Sequence, residues 1–229
     1  MGLVYSTSMV LMRGALRLFG DWQVEGREYV PPKGPLLVVS NHQSNMDPPL
    51  LSASIPRRVN FMAKRGLFHN PVASHMLKAY GAFPLNPNGG DLAAIRLSTQ
   101  LLSQDAAMVI FPEGTRSPGA MRKAIPGIAL VALRSGAPIL PVGITGTERI
   151  GPIWQVAIPK GEFRVRIGQP FSIPPMEGRM GREQLEAITT MIMDRVAALL
   201  PQSYRGVYAL KGKSPSLEIE SMERGNGST

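Results

Sequence analysis

Residues 36–47, LLVVSNHQSNMD, join an apolar run to a cluster of polar side chains. The run Leu36–Ser40 is short, apolar and followed at once by Asn41, which is the pattern of a buried strand. His42 and Asp47 come directly after it. In an open sheet of parallel strands, ligands bind in the crevice beyond the carboxyl ends of the strands. This stretch therefore predicts a strand that delivers polar groups to a site.

Similar apolar runs recur along the chain, with helical patterns between them. The further predicted strands are Val59–Ala63, Ala82–Leu85, Met108–Phe111, Ile139–Ile144 and Phe163–Ile167. The predicted helices are Pro49–Ser54, Pro71–Tyr80, Asp91–Leu102, Gly127–Ser135 and Arg182–Leu200, with Asp91 as an N-cap and Gly136 as a C-cap. This alternation predicts an α/β fold, with a mostly parallel central sheet and helices on both of its faces.

The first residues predict an amphipathic helical segment before the sheet. They are strongly apolar, and Arg13 and Arg17 lie four residues apart on one helical face. We expect this helix to lie in a lipid headgroup layer with both arginines toward phosphates; the alternative is a helix packed on the domain's own core. No apolar run reaches 18 residues, so no simple transmembrane helix is expected. The expected organisation is a membrane-associating segment 1–23, a catalytic domain 24–200 and a flexible tail 201–229.

Composition excludes several classes of protein. The chain has 229 residues, of which 44% are hydrophobic and 18% charged, so it is neither disordered nor fibrous. It has no cysteine, which excludes disulfides, thiolate metal sites and a cysteine nucleophile. His69 and His75 lack a nearby pair of carboxylates, so no metal site is expected. The net charge of +9 favours anionic partners, but no basic and aromatic residues alternate as in nucleic-acid readers.

The positive charge is concentrated in two stretches that contain no acidic residue. One runs from Asp47 to Asp91 and the other from Glu113 to Glu148. The basic residues that they contain are Arg57, Arg58, Lys64, Arg65, Lys78, Arg116, Arg122, Lys123 and Arg134. Any one of them is ordinarily a solvated surface group. Their joint distribution favours an anion site near the polar clusters.

His42 and Asp47 have the spacing of a catalytic pair. A tight turn after the strand would bring the carboxylate to one imidazole nitrogen and leave the other nitrogen as a base. The alternative is a hydrogen-bonded histidine with a structural role. The spacing by itself does not decide between the two.

A second cluster, FPEGTRS at residues 111–117, also follows a predicted strand. Gly114 permits a sharp turn, and Arg116 carries a planar fork of donors suited to phosphate. Thr115 and Ser117 add hydroxyl donors. Glu113 is expected either to orient Arg116 or to accept a hydrogen bond from a substrate hydroxyl. The alternative is a plain surface turn.

Together these segments resemble the glycerolipid acyltransferase family, whose best-known bacterial members are the PlsC-type lysophosphatidic acid (1-acyl-sn-glycerol-3-phosphate) acyltransferases. Its first motif, N-H-x-S-x-x-D, is matched by Asn41, His42, Ser44 and Asp47, and its third, F-P-E-G-T-R-S, is matched in full. Residues 138–144 match the apolar fourth motif around a proline. Residues 61–85 are similar to the second-motif region. The resemblance covers residues 24–173.

The resemblance implies transfer of a fatty acyl chain from a thioester, acyl-CoA or acyl carrier protein, to the free hydroxyl of a lysophosphatidic acid-type acceptor. His42 would be the general base and Asp47 its partner. The groups implied in substrate binding are Lys64, Glu113, Gly114, Thr115, Arg116 and Ser117. No cofactor is implied. The enzyme would work peripherally on the cytoplasmic face of the cell membrane, at an anionic surface, with no nucleic-acid partner.

One departure from the family pattern keeps the acceptor open. Where the family has an arginine that grips the acceptor phosphate, this chain reads Leu85-Asn86-Pro87. Lys64, Arg65, Arg96 or Arg116 could supply that charge. The alternative acceptors are glycerol 3-phosphate, another lysophospholipid or an amino-acid lipid. A different class of function is a non-catalytic lipid-binding homologue.

Overall fold

A computed structural model describes residues 3–85, 90–151, 153–176, 178 and 180–209 of the chain. The strands are β1 Gly20–Glu25, β2 Leu36–Ser40, β3 Val59–Lys64, β4 Ala82–Leu85, β5 Ala107–Ile110, β6 Ile139–Thr145 and β7 Gly161–Ile167. The helices are α1 Leu3–Phe19, α2 Asp47–Ser54, α3 Pro71–Ala79, α4 Gly90–Leu102, α5 Gly127–Ser135 and α6 Arg182–Ala198.

The strands form one sheet in the order β1-β7-β6-β2-β5-β3-β4. The five strands from β6 to β4 pair in parallel, whereas β7 runs antiparallel to β6 and carries β1 parallel to itself. The predicted mostly parallel sheet is confirmed. Because β2 lies between β6 and β5, the carboxyl ends of these three strands meet at one edge of the sheet.

Strand β2 is buried on both faces. Leu36 and Val38 belong to a core that includes residues of α1 and α2, and Leu37 and Val39 belong to a second core formed with α4, α5 and α6. All five residues of β2 are buried, as expected for a central parallel strand covered by helices on both sides. This packing holds the residues that follow β2 in a fixed position.

The predicted elements are present within two residues at each end, and the exceptions are informative. Strand β1 was not predicted, because its residues GDWQVE alternate in burial at the sheet edge and lack an apolar run. Helix α4 begins at Gly90, so Asp91 lies inside the helix and is not its N-cap. Gly136 follows α5 in the left-handed conformation with φ 59°, as predicted for a C-cap.

Helix α1 combines features of both alternatives considered for it. One face packs on the domain through Tyr5, Met9, Met12 and Leu16. The other face exposes Val4, Val10, Leu11, Leu18 and Phe19. Arg13 donates from Nε to the carbonyl of Ala53 at 2.9 Å, so the expectation that Arg13 faces lipid phosphates is wrong. The helix ends at Phe19, and residues 20–23 of the expected helical segment belong to β1.

None of the helices in the described residues has both the length and the apolar character needed to cross a membrane.

The beginning of the expected flexible tail is ordered. Residues Gln202–Tyr204 and Gly206–Tyr208 form two 3-10 turns. Tyr208 is buried, and its hydroxyl accepts the backbone N–H of Ala124 at 2.9 Å. Residues 210–229 lie outside the described residues. The segment 201–209 is therefore part of the packed domain.

Candidate active site

Polar side chains gather where β2, β5 and β6 end. The cluster after β2 begins at Asn41, the cluster after β5 begins at Phe111, and β6 ends at Thr145. These strands are neighbours in the sheet, with β2 paired to both of the others. Three segments that are far apart in the sequence therefore meet at one edge.

His42 and Asp47 are in contact, as their spacing predicted. His42 Nδ1 lies 2.7 Å from Asp47 Oδ2. A carboxylate only accepts hydrogen bonds, so the proton of this contact is on Nδ1. The same Oδ2 accepts the backbone N–H groups of Gln43 at 2.6 Å and Ser44 at 2.9 Å. Asp47 is completely buried at the start of α2, and the turn between the two motif residues is tied to it.

The second carboxylate oxygen of Asp47 has a partner 100 positions further along the chain. Thr147 donates from Oγ1 to Asp47 Oδ1 at 2.6 Å, and Thr147 is also completely buried. Sequence reasoning missed Thr147. The available signal was its place three residues after the predicted strand Ile139–Ile144, where strand-exit residues converge on a site.

The imidazole of His42 is held by ring stacking as well as by the hydrogen bond at Nδ1. It stacks on the ring of Phe111, with 4.2 Å between ring centroids and 20° between planes. The side chain is 18% exposed. No described residue forms a hydrogen bond with Nε2. The arrangement fixes the ring and leaves Nε2 able to receive a proton.

Asn41 and Gln43 join the exit of β2 to β6. Asn41 donates from Nδ2 to the carbonyl of Ile144 at 2.9 Å and accepts its N–H at 2.8 Å. Gln43 donates to the same carbonyl at 2.6 Å and accepts the N–H of Gly119 at 3.2 Å. The side chain of Asn41 thus continues the strand pairing beyond the last backbone residue of β2. Neither side chain was among the predicted site residues.

Glu113 is 5% exposed and has a different role from the one expected. Its Oε1 accepts the backbone N–H of His42 at 2.9 Å, and its Oε2 accepts that of Arg122 at 2.8 Å. Burial raises the pKa of Glu113, and the two backbone hydrogen bonds partly oppose that rise. Among the described residues no ion pair joins Glu113 to Arg116. The carboxylate therefore positions the backbone of His42 instead of orienting Arg116.

Gly114 and Ser117 shape the turn after β5. Gly114 has φ +69°, and a Cβ at this position would lie 2.7 Å from Ile125 Cδ1. The N–H of Ser117 bonds to the carbonyl of His42 at 2.7 Å, and its hydroxyl donates to the carbonyl of Ala120. The Ser117 hydroxyl is therefore bound within its own turn and is not the free donor that was expected. The turn instead brings the two motifs into backbone contact.

Thr115 and Arg116 are exposed at the mouth of the site. Both line an open cavity of about 310 Å³ next to the His42 turn. The lining residues are Gln43, Ser44, Thr115, Arg116, Pro118, Glu148 and Ile150. The guanidinium predicted to bind phosphate is therefore within the same surface depression as the residue that follows the histidine.

The residues that resemble the family's second motif lie on β3 and β4 and between them, and β5 separates both strands from β2 in the sheet. Lys64 ends β3, with its backbone in register with Leu85 of β4, and its side chain is outside the described part of the structure. Arg65 and Arg96 are exposed. Residues 86–89, which include the departure from the family pattern, are also outside the described residues.

Among the described residues that line the cavity, Glu148 is the acidic one. Its Oε2 accepts the N–H of Gly146 at 2.9 Å, and its Oε1 accepts the hydroxyl of Tyr204 at 2.8 Å. Burial and the contact with Glu148 raise the pKa of Tyr204. The ordered segment after α6 therefore supports a wall of the site. No group of three or more histidine, aspartate or glutamate side chains suited to a metal ion is present in the described residues.

Comparisons with known proteins agree with this geometry. A family model described as Acyltransferase matches residues 21–145. A 1-acyl-sn-glycerol-3-phosphate acyltransferase of Bacillus subtilis is 26% identical over 188 residues, covering 80% of this chain and 90% of the relative. A chloroplast 1-acyl-sn-glycerol-3-phosphate acyltransferase of Brassica napus is 31% identical, covering 67% of this chain and 46% of the relative. The chain thus spans about half of the plant protein.

A solved structure has the same fold. It is the crystal structure of the 1-acyl-sn-glycerophosphate acyltransferase PlsC from Thermotoga maritima, which superimposes with a TM-score of 0.63. The two chains are 27% identical, and the match covers 82% of this chain and 76% of the other. The α/β fold of this chain is therefore shared with that protein.

Proposed function

Because the chain belongs to the acyltransferase family, we propose that it is a 1-acylglycerol-3-phosphate O-acyltransferase. It transfers a fatty acyl chain from a thioester, either acyl-CoA or acyl carrier protein, to the free hydroxyl of lysophosphatidic acid and forms phosphatidic acid. The observation that carries this proposal is the buried Asp47 carboxylate, 2.7 Å from Nδ1 of a histidine whose Nε2 has no described partner.

This geometry supports the following reaction. Nε2 of His42 accepts the proton of the acceptor hydroxyl while the hydroxyl oxygen attacks the thioester carbonyl carbon. The tetrahedral intermediate collapses, the carbon–sulfur bond breaks, and the imidazolium returns the proton to the leaving thiolate. Alcohol and thioester become ester and thiol, with no net change in protons. Asp47 stabilises the imidazolium and keeps the proton on Nδ1, and general-base action of this kind accounts for about 10²–10⁴ in rate.

We infer that the acceptor phosphate binds at the cavity lined by Thr115 and Arg116. Arg116 has a planar fork of donors suited to phosphate oxygens, and it is exposed beside the His42 turn. Lys64 is the second cation proposed for this phosphate. Gly114 permits the turn that presents both Thr115 and Arg116, whereas Glu113 and Ser117 support it from behind through backbone contacts.

Association with the membrane is part of the proposal, because acceptor and product are lipids. The outer face of α1 carries a row of exposed apolar side chains, with Val10, Leu11 and Leu18 each at least 67% exposed. Arg17 lies on the same helix and is exposed. This combination suits a helix lying in an anionic headgroup layer. We propose peripheral binding at the cytoplasmic face of the cell membrane.

Release of free thiol from one acyl-CoA, measured with purified protein and a panel of acceptors, tests the proposal. The panel contains lysophosphatidic acid, glycerol 3-phosphate and other lysophospholipids. Several acceptors are needed because the second-motif arginine is missing, which leaves the identity of the acceptor open. We expect lysophosphatidic acid to be acylated fastest. Faster acylation of another acceptor would replace the proposed acceptor. Lipid binding without thiol release from any acyl-CoA or acyl carrier protein donor would indicate a non-catalytic homologue.

His42→Ala tests the base. We expect a loss of at least about 10²-fold in kcat. His75→Ala is the matched control, because His75 is exposed on α3 and has no contact with the Asp47 carboxylate. Thermal melting of both variants checks that the fold survives. Full activity of His42→Ala would reject the mechanism.

A further inference from the structure

Asp47 is bound asymmetrically. Its Oδ2 accepts three hydrogen bonds, from the His42 ring and from the backbone of Gln43 and Ser44. Within the described residues, its Oδ1 accepts one hydrogen bond, from the Thr147 hydroxyl at 2.6 Å. Both Asp47 and Thr147 have 0% exposure, so Thr147 satisfies a carboxylate oxygen that is shielded from water.

The fold delivers Thr147 to this position through a restricted turn. Gly146 follows β6 with φ +91°, and a Cβ there would lie 1.8 Å from the carbonyl oxygen of Glu162. Thr147 then opens a 3-10 turn, with its carbonyl accepting the N–H of Ile150 at 3.0 Å. The N–H of Gly146 is bound by Glu148. The hydroxyl is therefore carried on a backbone that has little freedom to move.

We propose that Thr147 is a positioning residue of the reaction, which it serves by acting through Asp47. Four donors on two oxygens define the plane of the carboxylate, and the Thr147 hydroxyl is the one that holds Oδ1. If this donor is lost, the carboxylate can rotate to find another partner, and the His42 ring that it orients moves with it. Small displacements of a catalytic base reduce the rate strongly, because proton transfer requires close alignment. The inference rests on the proposed acyl transfer.

The experiment compares side chains at position 147 that differ in the hydroxyl. Thr147→Val keeps the shape of the side chain and removes the donor. Thr147→Ser keeps the donor, whereas Thr147→Ala removes it together with the methyl group. We expect kcat to fall by about 10-fold or more in the Val and Ala variants, because a charged acceptor loses its hydrogen bond. KM for both substrates should stay within about twofold, and Ser should retain most of the activity.

A matched control separates positioning from general loss of stability. Thr189 is also buried, at 3% exposure, and its hydroxyl donates to the carbonyl of Leu185 at 2.7 Å within α6. Thr189→Val loses a buried hydroxyl outside the site and should leave kcat unchanged. Melting temperatures of all variants are measured alongside. If Thr147→Val does not fold, the comparison of Ser with Ala carries the same information about the hydroxyl.

A double variant that combines Thr147→Ala with Asp47→Asn tests whether Thr147 affects kcat through the Asp47 carboxylate. If Thr147 acts through the carboxylate, Thr147→Ala in the Asp47→Asn background should change kcat by less than about twofold, because groups that act as a unit are not additive. A full additive loss would overturn the inference. So would equal kcat in the Ser and Ala variants while the wild-type chain is active. An inactive wild-type chain would instead reject the proposed function itself.

Discussion

Replacing Asn41 with alanine should destabilise the domain more than a typical buried polar substitution. Asn41 is 2% exposed and makes two hydrogen bonds to the backbone of Ile144, at 2.9 and 2.8 Å. Alanine removes both. The carbonyl of Ile144 keeps its bond from Gln43, but the N–H of Ile144 is left buried without this acceptor.

The magnitude follows from these contacts. Two lost hydrogen bonds contribute about 1 kcal/mol each, and an unsatisfied buried N–H adds about 1–3 kcal/mol. A total of about 3–5 kcal/mol lowers the melting temperature of a domain of this size by about 6–20 °C. Activity should fall as well, because Asn41 adjoins His42 and ties the exit of β2 to β6.

Thermal unfolding followed by circular dichroism measures the effect, with Asn60→Ala as the control. Asn60 is buried at 8% exposure and makes one hydrogen bond, to the carbonyl of Ala107 at 3.0 Å. Its loss should cost about 1 kcal/mol, or roughly 2–4 °C. A melting temperature for Asn41→Ala within the range of the control would refute the view that this side chain continues the strand pairing.

Two further predictions concern Glu113 and α1. Burial raises the pKa of Glu113 above its usual 4.5, so the stability that this residue contributes is complete below pH 4.5 and is lost as pH rises through the raised pKa. Melting temperatures measured from pH 4 to 8 should therefore fall in the wild type relative to Glu113→Gln as pH rises. The same pH dependence in both proteins would contradict this. Sedimentation with phosphatidylglycerol vesicles should show roughly tenfold or more weaker binding for Leu11→Ser/Leu18→Ser. The control Leu92→Ser/Val207→Ser, at positions that are also more than half exposed, should bind as wild type, and equal losses in both would exclude α1 as the docking face.

The site combines chemistry from local motifs with support from distant segments. His42 and Asp47, the proposed catalytic pair, are joined by a hydrogen bond within one turn. Glu113 fixes the backbone of that turn from β5, and Asn41 fixes it to β6. Most of the buried polar groups at this edge are bonded to backbone atoms, so they hold the shape of the site instead of contacting substrate. This division explains why a motif residue such as Glu113 is buried while Arg116 is exposed.

Much of the fold was predictable because its signals are local. The runs that form β2, β5 and β6 are almost entirely apolar, because a strand covered on both faces leaves little choice in composition. Strand β1 was missed because it lies at an edge with alternating burial and pairs with β7, more than 130 positions further along the chain. Its pairing depends on the assembled sheet.

The sequence by itself determined the contact between His42 and Asp47, the sharp turn at Gly114 and the alternation of strands and helices, since each is encoded within a few neighbouring residues. Only the tertiary structure decided which groups support them. Thr147 lies 100 positions from Asp47, Ile144 lies 103 from Asn41, and Glu113 lies 71 from His42. These contacts exist because β2 sits between β5 and β6, and strand order is set by the packing of the whole chain.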